Sequence, residues 1–382
     1  MTITLLMTNN TLDYYGGSEC YLRDVARYML GKGHRVICYS KQLGPVADEI
    51  RKFGGIVVQD LHRLGIIPDI IHGHHHIDTT CAMMMFPEVP VVHFTHGALP
   101  WEEGPPPPSP RIMNYVCISK ITADALLSKQ PESKDKIIII PNFVCSENFQ
   151  RRRSMQASKE SESLRVLIFG NYRPRDRDRI HAVCNQAGAC LDEVGGWTET
   201  GNKSDPWNFL PDYDVVFAYG RSAMEALSCG CDVILCHETG TGELVTDLNF
   251  ERYYDRNFGF TTVLGSKGES YIKSMLSNAN ESRLRGESCL AEGYRMSLDS
   301  SRHLERIEGV YKEAIKNWEI TGNKQAIFEA EQGLYATYLA RLQRERFDKG
   351  AQDKLIAIER DETQALKNLL AQTRSKVKSL RG

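Results

Sequence analysis

Seven short apolar runs leave the first half of this chain few ways to fold. They are "ITLLMT", "HRVICYS", "GGIVVQDL", "PDIIHGH", "VPVVHFTH", "NYVCIS" and "KIIIIPN". Val and Ile dominate them, and few polar residues interrupt. This is the pattern of strands buried on both faces, as in a parallel sheet covered by helices. Between the first two lies "SECYLRDVARYMLGKG". Tyr21, Leu22, Val25, Met29 and Leu30 share one helical face there, with Ser18 expected as N-cap and Gly31 and Gly33 ending the helix.

A polar, charged stretch over 149–163 breaks the alternation and reads as a linker. A second alternating block follows, with strands expected in "RVLIFGN", "CLDEVGG", "YDVVFAYG", "CDVILCH" and "FTTVL". Helices are expected to start near Arg179, Ser222, Gly242 and Ser270. The organisation is therefore α/β: two Rossmann-like domains, 1–148 and 164–300, facing across a cleft. A long helix over 301–318 closes the second. In such sheets ligands sit at the carboxyl ends of the strands, which places a site in the cleft.

From 319 to 382 strand signals stop. Ile327, Leu334, Tyr338 and Leu342, then Leu355, Ile358, Leu366, Leu370, Val377 and Leu380, recur at helical spacing, and Gly350 separates the two segments. Two helices packed as a hairpin or on the body fit this broken pattern. A homodimer through 319–382 is the alternative. Arg374, Lys376, Lys378 and Arg381 read as a solvated face, with peripheral membrane contact as the alternative.

The balance of residues excludes several classes. A net charge of -2 gives no global field toward nucleic acid or an anionic membrane. The 11 cysteines include no C-x-x-C pair, and Cys229 and Cys231 flank a single glycine, which is not a zinc spacing. A reduced, cytoplasmic protein is expected. "MTITLLMTNN" lacks a basic n-region and reads as a first strand rather than a signal peptide. The "HGHHH" run holds His72, His74, His75 and His76. On a strand these point to alternate faces, so they do not converge on a metal without a turn.

Two places carry chemistry. Gly16 and Gly17 stand between the first strand and the following helix, where glycine permits close backbone approach and free helix N–H groups favour an anion. The second place is "YDVVFAYGRSAMEAL". Gly220 lets the chain turn, Ser222 and Ala223 present N–H groups at a helix start, and Glu225 sits one turn in. A carboxylate there can accept hydrogen bonds from two vicinal hydroxyls, as on a ribose, beside a phosphate site. A first-turn acid complementing the helix dipole is the plainer alternative.

In order, "GGSE", "GKGHRV", "DIIHGHH", "VVHFTHG", "VCISK", "IIIIPNFV", "FGN", "AYGRSAMEALSCGCDVIL", "ETGTGELV" and "RIEGVYKEAIKNW" resemble landmarks of GT-B fold glycosyltransferases of the retaining family 4 type. They cover about residues 1 to 318. The resemblance implies an acceptor-side N-terminal domain and a nucleotide-sugar donor domain, with the closing helix crossing back to the former. It implies an enzyme of glycan biosynthesis moving a hexosyl group from a nucleoside diphosphate sugar to a glycan or lipid-linked hydroxyl acceptor. Gly16 and Gly17 would approach the donor, N–H groups around Ser222 would meet the diphosphate, and Glu225 would hold the ribose. His96 would line the reacting centre as the catalytic residue. No cofactor or metal is implied, since basic residues and helix dipoles stabilise the leaving group.

Two departures stand out. Phe217 occupies the slot of the family's first acid, eight positions before Glu225, so the sugar is expected to be held differently and an apolar ring could favour a deoxy sugar face. Asn171 occupies the slot of the family's Arg in the first loop of the second domain. Arg173, Arg175 and Arg177 are expected to supply the lost charge to the diphosphate. A catalytically weak sugar-nucleotide-binding scaffold and a sugar-nucleotide epimerase on the same fold are the alternative functions.

Overall fold

A computed structural model of the chain describes residues 2–97, 101–145, 163–199, 201, 203–263 and 265–345. It divides into two units, Met1–Gly322 and Asn323–Gly382. Of the linker expected over 149–163 only Ser163 is among the described residues. The second unit contributes a described helix over 324–345, in which the Tyr335 hydroxyl donates to Glu331. The segment from 346, with Leu355 to Leu380 and the basic cluster from Arg374 to Arg381, lies outside the described residues.

The first unit holds two large sheets, the first parallel and the second parallel except for its last strand. In the first, β1 (Thr4–Thr8), β2 (Arg35–Tyr39), β3 (Ile56–Val58), β4 (Ile70–His74), β5 (Val91–Thr95), β6 (Ile112–Cys117) and β7 (Ile137–Ile139) lie in the order β3-β2-β1-β4-β5-β6-β7. Helices α1 (Gly17–Gly31), α2 (Pro45–Lys52), α3 (His76–Met85) and α4 (Lys120–Lys129) connect them. β4 and β5 are buried along their whole length, because helices cover both faces of the sheet. Arg111 is 1% exposed. Its guanidinium donates to the carbonyls of Met83, Phe86 and Val89 at 2.8, 2.8 and 2.9 Å, closing the C-terminal end of α3.

The second sheet contains β8 (Arg165–Phe169), β9 (Cys190–Val194), β10 (Val215–Ala218), β11 (Asp232–His237) and β12 (Gly240–Leu244), ordered β9-β8-β10-β11-β12. Its helices are α5 (Arg177–Gln186), α6 (Gly220–Ser228), α7 (Phe250–Tyr254), α8 (Glu269–Arg285) and α9 (Glu292–Met296). The last helix of the unit, α10 (Ser300–Glu319), places Leu304, Ile307, Tyr311 and Ala314 in the core of the first sheet. This is the GT-B architecture, two Rossmann-like folds, with the helix over 324–345 following them in the chain.

Three local expectations differ from the structure. The helix expected from Gly242 is instead the strand β12, paired antiparallel with β11. Gly240 has φ +141, and a Cβ there would lie 2.5 Å from the Gly265 backbone, so a hairpin forms that only glycine permits. Within "FTTVL" the chain makes a 3-10 turn over Phe260–Thr262, not a strand. The N-cap of α1 is Gly16, and Ser18 instead donates its hydroxyl to Glu19 within the first turn.

Candidate active site

The strand order of both sheets reverses at a switch point, β1/β4 in the first and β8/β10 in the second. α1 leaves the end of β1, and α6 leaves the end of β10. Each of these helices starts at a glycine without a side-chain N-cap, which leaves first-turn N–H groups open apart from that of Gly220. Gly16, Gly17, Ser222 and Glu225 line one cleft. A Cβ on Gly17 would meet nothing within 4 Å, so the space before α1 is open. Gly220 adopts φ +55, which lets the chain pivot from β10 into α6, and its N–H donates to the Phe258 carbonyl at 2.6 Å. Ala223 is fully buried behind Ser222, with its N–H bonded to the Tyr219 carbonyl.

Glu225 is 8% exposed. Burial raises its pKa, and the guanidinium of Arg221 works against that rise. Arg221 Nε donates to Glu225 Oε1 at 2.8 Å, and its Nη2 donates to Asp24 Oδ2 at 2.5 Å. Asp24 belongs to α1, so this guanidinium joins the two halves of the first unit. The chain of charges continues: Arg23 donates to Asp24 at 2.8 Å and to Glu49 at 3.2 Å, and the Tyr15 hydroxyl donates to Glu49 at 2.6 Å. Burial alone would raise the pKa of Asp24; Arg23 and Arg221 overcome it and hold the carboxyl below the usual range. Asn171, in the same cleft, donates to the Tyr15 carbonyl at 3.2 Å.

Residues 15–148 match the family model Glycosyltransferase Family 4. Among solved structures, a glycosyltransferase from Rickettsia africae ESF-5 is 14% identical at a TM-score of 0.59, covering 83% of this chain and 99% of its own. Sucrose-phosphate synthase from Thermosynechococcus elongatus is 11% identical at a TM-score of 0.53, covering 82% of this chain and 100% of its own. At these identities the two structures speak to the fold alone. No curated protein matches the chain in sequence. The family match over residues 15–148 and the shared fold together support a glycosyltransferase. Among the described residues, no helix is long and apolar enough to cross a membrane.

The remaining residues expected at this site fall elsewhere or turn away. Arg173 is 61% exposed at its side chain and lines a separate depression with Arg177, Glu193 and Trp197. Arg175 is exposed, and its backbone N–H donates to the His237 carbonyl. Neither lines the cleft with Glu225. Phe217 is 1% exposed and packs with Val166, Ile180 and Ile234 on the face of the sheet away from α6. Its strand neighbours Val216 and Ala218 face the other core. Strand alternation therefore sends the ring into the interior, on the face of the sheet away from α6.

His96 follows β5. Its Nε2 lies 3.4 Å from His74 Nε2, while its Nδ1 is buried with no hydrogen-bond partner among the described residues. Its backbone N–H donates to Glu103 at 3.0 Å, and its ring stands edge-on to Tyr21 at 4.5 Å. Burial, reinforced by His75 and Arg221 and opposed by Glu103, lowers its pKa to about 4. The ring is neutral at pH 7 and directs both nitrogens inward. His72 and His74, two residues apart on one face of β4, approach to 2.6 Å between Nε2 atoms, and His72 Nδ1 bonds the Tyr311 hydroxyl. Among the described residues, no group of three or more His, Cys, Asp or Glu is placed to hold a metal ion.

Arg221, Arg23 and Asp24 are the site residues that pattern reading missed. One signal was available. A cation in the first turn of a helix opposes the helix dipole, so Arg221 beside Gly220 and four residues before Glu225 is out of place unless it has anionic company.

The buried histidines also set an acid limit on stability. His93 is fully buried on β5, and burial lowers its pKa to about 3. The unfolded chain protonates this ring below about pH 6.5 and the folded protein does not, so stability falls as pH falls. Between pH 7 and pH 5 this ring removes about 2 kcal/mol. His93→Phe is expected to shrink the difference in unfolding free energy between those pH values by that amount, measured by urea titration. An unchanged difference would show that the ring titrates in the folded state.

Proposed function

We propose that the chain transfers a hexosyl group from a nucleoside diphosphate sugar to a hydroxyl acceptor, with retention at the anomeric carbon and without a metal. A glycan or a lipid-linked glycan is the acceptor class this reading favours. The observation that carries it is the pairing of two uncapped, glycine-led helix N-termini with the buried carboxylate of Glu225 in one cleft. Free N–H groups and helix dipoles favour a diphosphate there, both bound and as it departs. Glu225 reads the vicinal hydroxyls of the ribose. Gly17 leaves room for the donor sugar beside α1. His96, whose ring burial keeps neutral, is the acceptor-side group in this reading.

The test is release of nucleoside diphosphate from a panel of UDP-, GDP-, ADP- and TDP-sugars, with and without saccharide and lipid-linked acceptors. Release that requires an acceptor, with the product's anomeric configuration matching the donor's, is the expected result. Turnover of donor alone to an epimer would replace this reading with an isomerase. A donor-binding scaffold without turnover is the second reading. It is favoured by the occupation of Glu225 by Arg221 and by the inward-facing nitrogens of His96. Nucleotide binding with no release across the panel would select it.

A further inference from the structure

We propose that Arg221 is the residue of the cleft that pairs with the donor's diphosphate, held for that role by Asp24 from the opposite half. The inference rests on the donor-site reading above and names the cation that reading leaves unassigned. Three cations line the cleft among the described residues: Arg23, Lys203 and Arg221. The guanidinium of Arg23 is committed, with Nε and Nη2 on Asp24 and Nη1 on Glu49. Lys203 is exposed, with its ammonium over the Phe209 ring. Arg221 is nine-tenths buried, its Nε and Nη2 are fixed by Glu225 and Asp24, and its Nη1 has no partner among the described residues.

Its position on the chain adds a second reason. Arg221 and Ser222 are the second and third residues of α6, where backbone N–H groups have no acceptor within the helix. The Gly220 N–H is already taken by Phe258. A diphosphate oxygen set against this turn meets two free N–H groups, and the open Nη1 lies on the side chain beside them. Planar guanidinium donors match phosphate oxygens, and a guanidinium already fixed at two nitrogens loses little freedom on binding. The Asp24 contact crosses between the halves, so one guanidinium both grips the ligand and ties α1 to α6.

The experiment titrates inorganic pyrophosphate, and separately UDP, GDP, ADP and TDP, into wild type and into Arg221→Met, Arg221→Lys and Arg173→Ala by calorimetry. Wild type is expected to bind pyrophosphate, and Arg221→Met to weaken it more than tenfold. Arg221→Lys keeps a charge for Asp24 and guards against misfolding; it is expected to fall between the two, because the fork is lost. If a nucleoside diphosphate binds wild type and both Arg221 variants equally, the assignment is overturned while the donor-site reading stands. It is overturned too if Arg173→Ala carries the loss. Pyrophosphate binding that depends on Arg221, without binding of any nucleotide, upholds the assignment and overturns the donor-site reading. If wild type binds neither, both fall.

Discussion

Glu225→Ala weakens the binding of whichever of UDP, GDP and ADP the protein prefers by about 100-fold, and removes the thermal stabilisation that this nucleotide gives the wild type. Two hydrogen bonds from ribose hydroxyls to one buried carboxylate, at about 1.5 kcal/mol each, correspond to a factor of that size. Ligand stabilisation of the folded state scales with the logarithm of ligand over dissociation constant, so a loss of this size erases the shift at moderate concentration. Arg221 Nε loses a partner in the variant but keeps the Asp24 contact through Nη2, so the cleft retains its cation. The 2′-deoxy form of the preferred nucleotide should lose affinity on the wild type and lose almost nothing further on Glu225→Ala. TDP, whose sugar lacks the 2′-hydroxyl, serves as a natural control. An affinity within threefold of wild type for Glu225→Ala would reduce Glu225 to a structural partner of Arg221.

Arg111→Met lowers the unfolding free energy by about 3–5 kcal/mol, read as a shift of the urea midpoint at unchanged slope. Met keeps much of the buried stem, so the loss is polar rather than volumetric. Three carbonyls at the end of α3 lose their guanidinium donor in the interior, and an orphaned buried group costs about 1–3 kcal/mol. Arg111→Lys should recover part of the loss, since an ammonium cannot span the three acceptors as a planar fork does. These contacts stand at the ends of the strands away from the cleft. Nucleotide affinity of the folded variant should therefore match that of the wild type. A loss below about 1 kcal/mol would mean that water reaches the α3 terminus.

The two glycine-led turns were legible because each rests on a local rule. An apolar run must end, glycine must turn the chain, and the next amphipathic stretch must begin. The residues between the turns were not legible. Arg23 and Asp24 sit within α1 beside its apolar face, where an isolated helix would leave both in water. In the protein they are 4% and 2% exposed, because α6 and its Arg221 cover them.

The "YRPRDRDR" stretch shows the same limit from the other side. Its arginines promised charge for a diphosphate, yet Arg173 and Arg175 project to solvent while Arg177 pairs with Glu193 at 2.8 Å. Density of charge along a chain says little about direction, since a loop can aim each side chain independently. Gly242 erred for a related reason. Nothing local distinguishes a helix start from the second arm of a hairpin when Gly and Thr dominate, and pairing with β11 decides it.

By itself, then, the sequence determined the parallel strands of both sheets, most of the helices that cover them and the glycine pivots at the ends of β1 and β10. Those follow from burial of β-branched runs and from the backbone freedom of glycine, both local or nearly so. Tertiary structure alone decided which charges meet. Asp24 and Arg221 are 197 residues apart in the chain, and only the docking of one sheet's helix against the other's brings them to 2.5 Å. It also decided that Glu225 is buried rather than a surface cap. Burial raises its pKa, against the pull of Arg221 and, more weakly, Arg23.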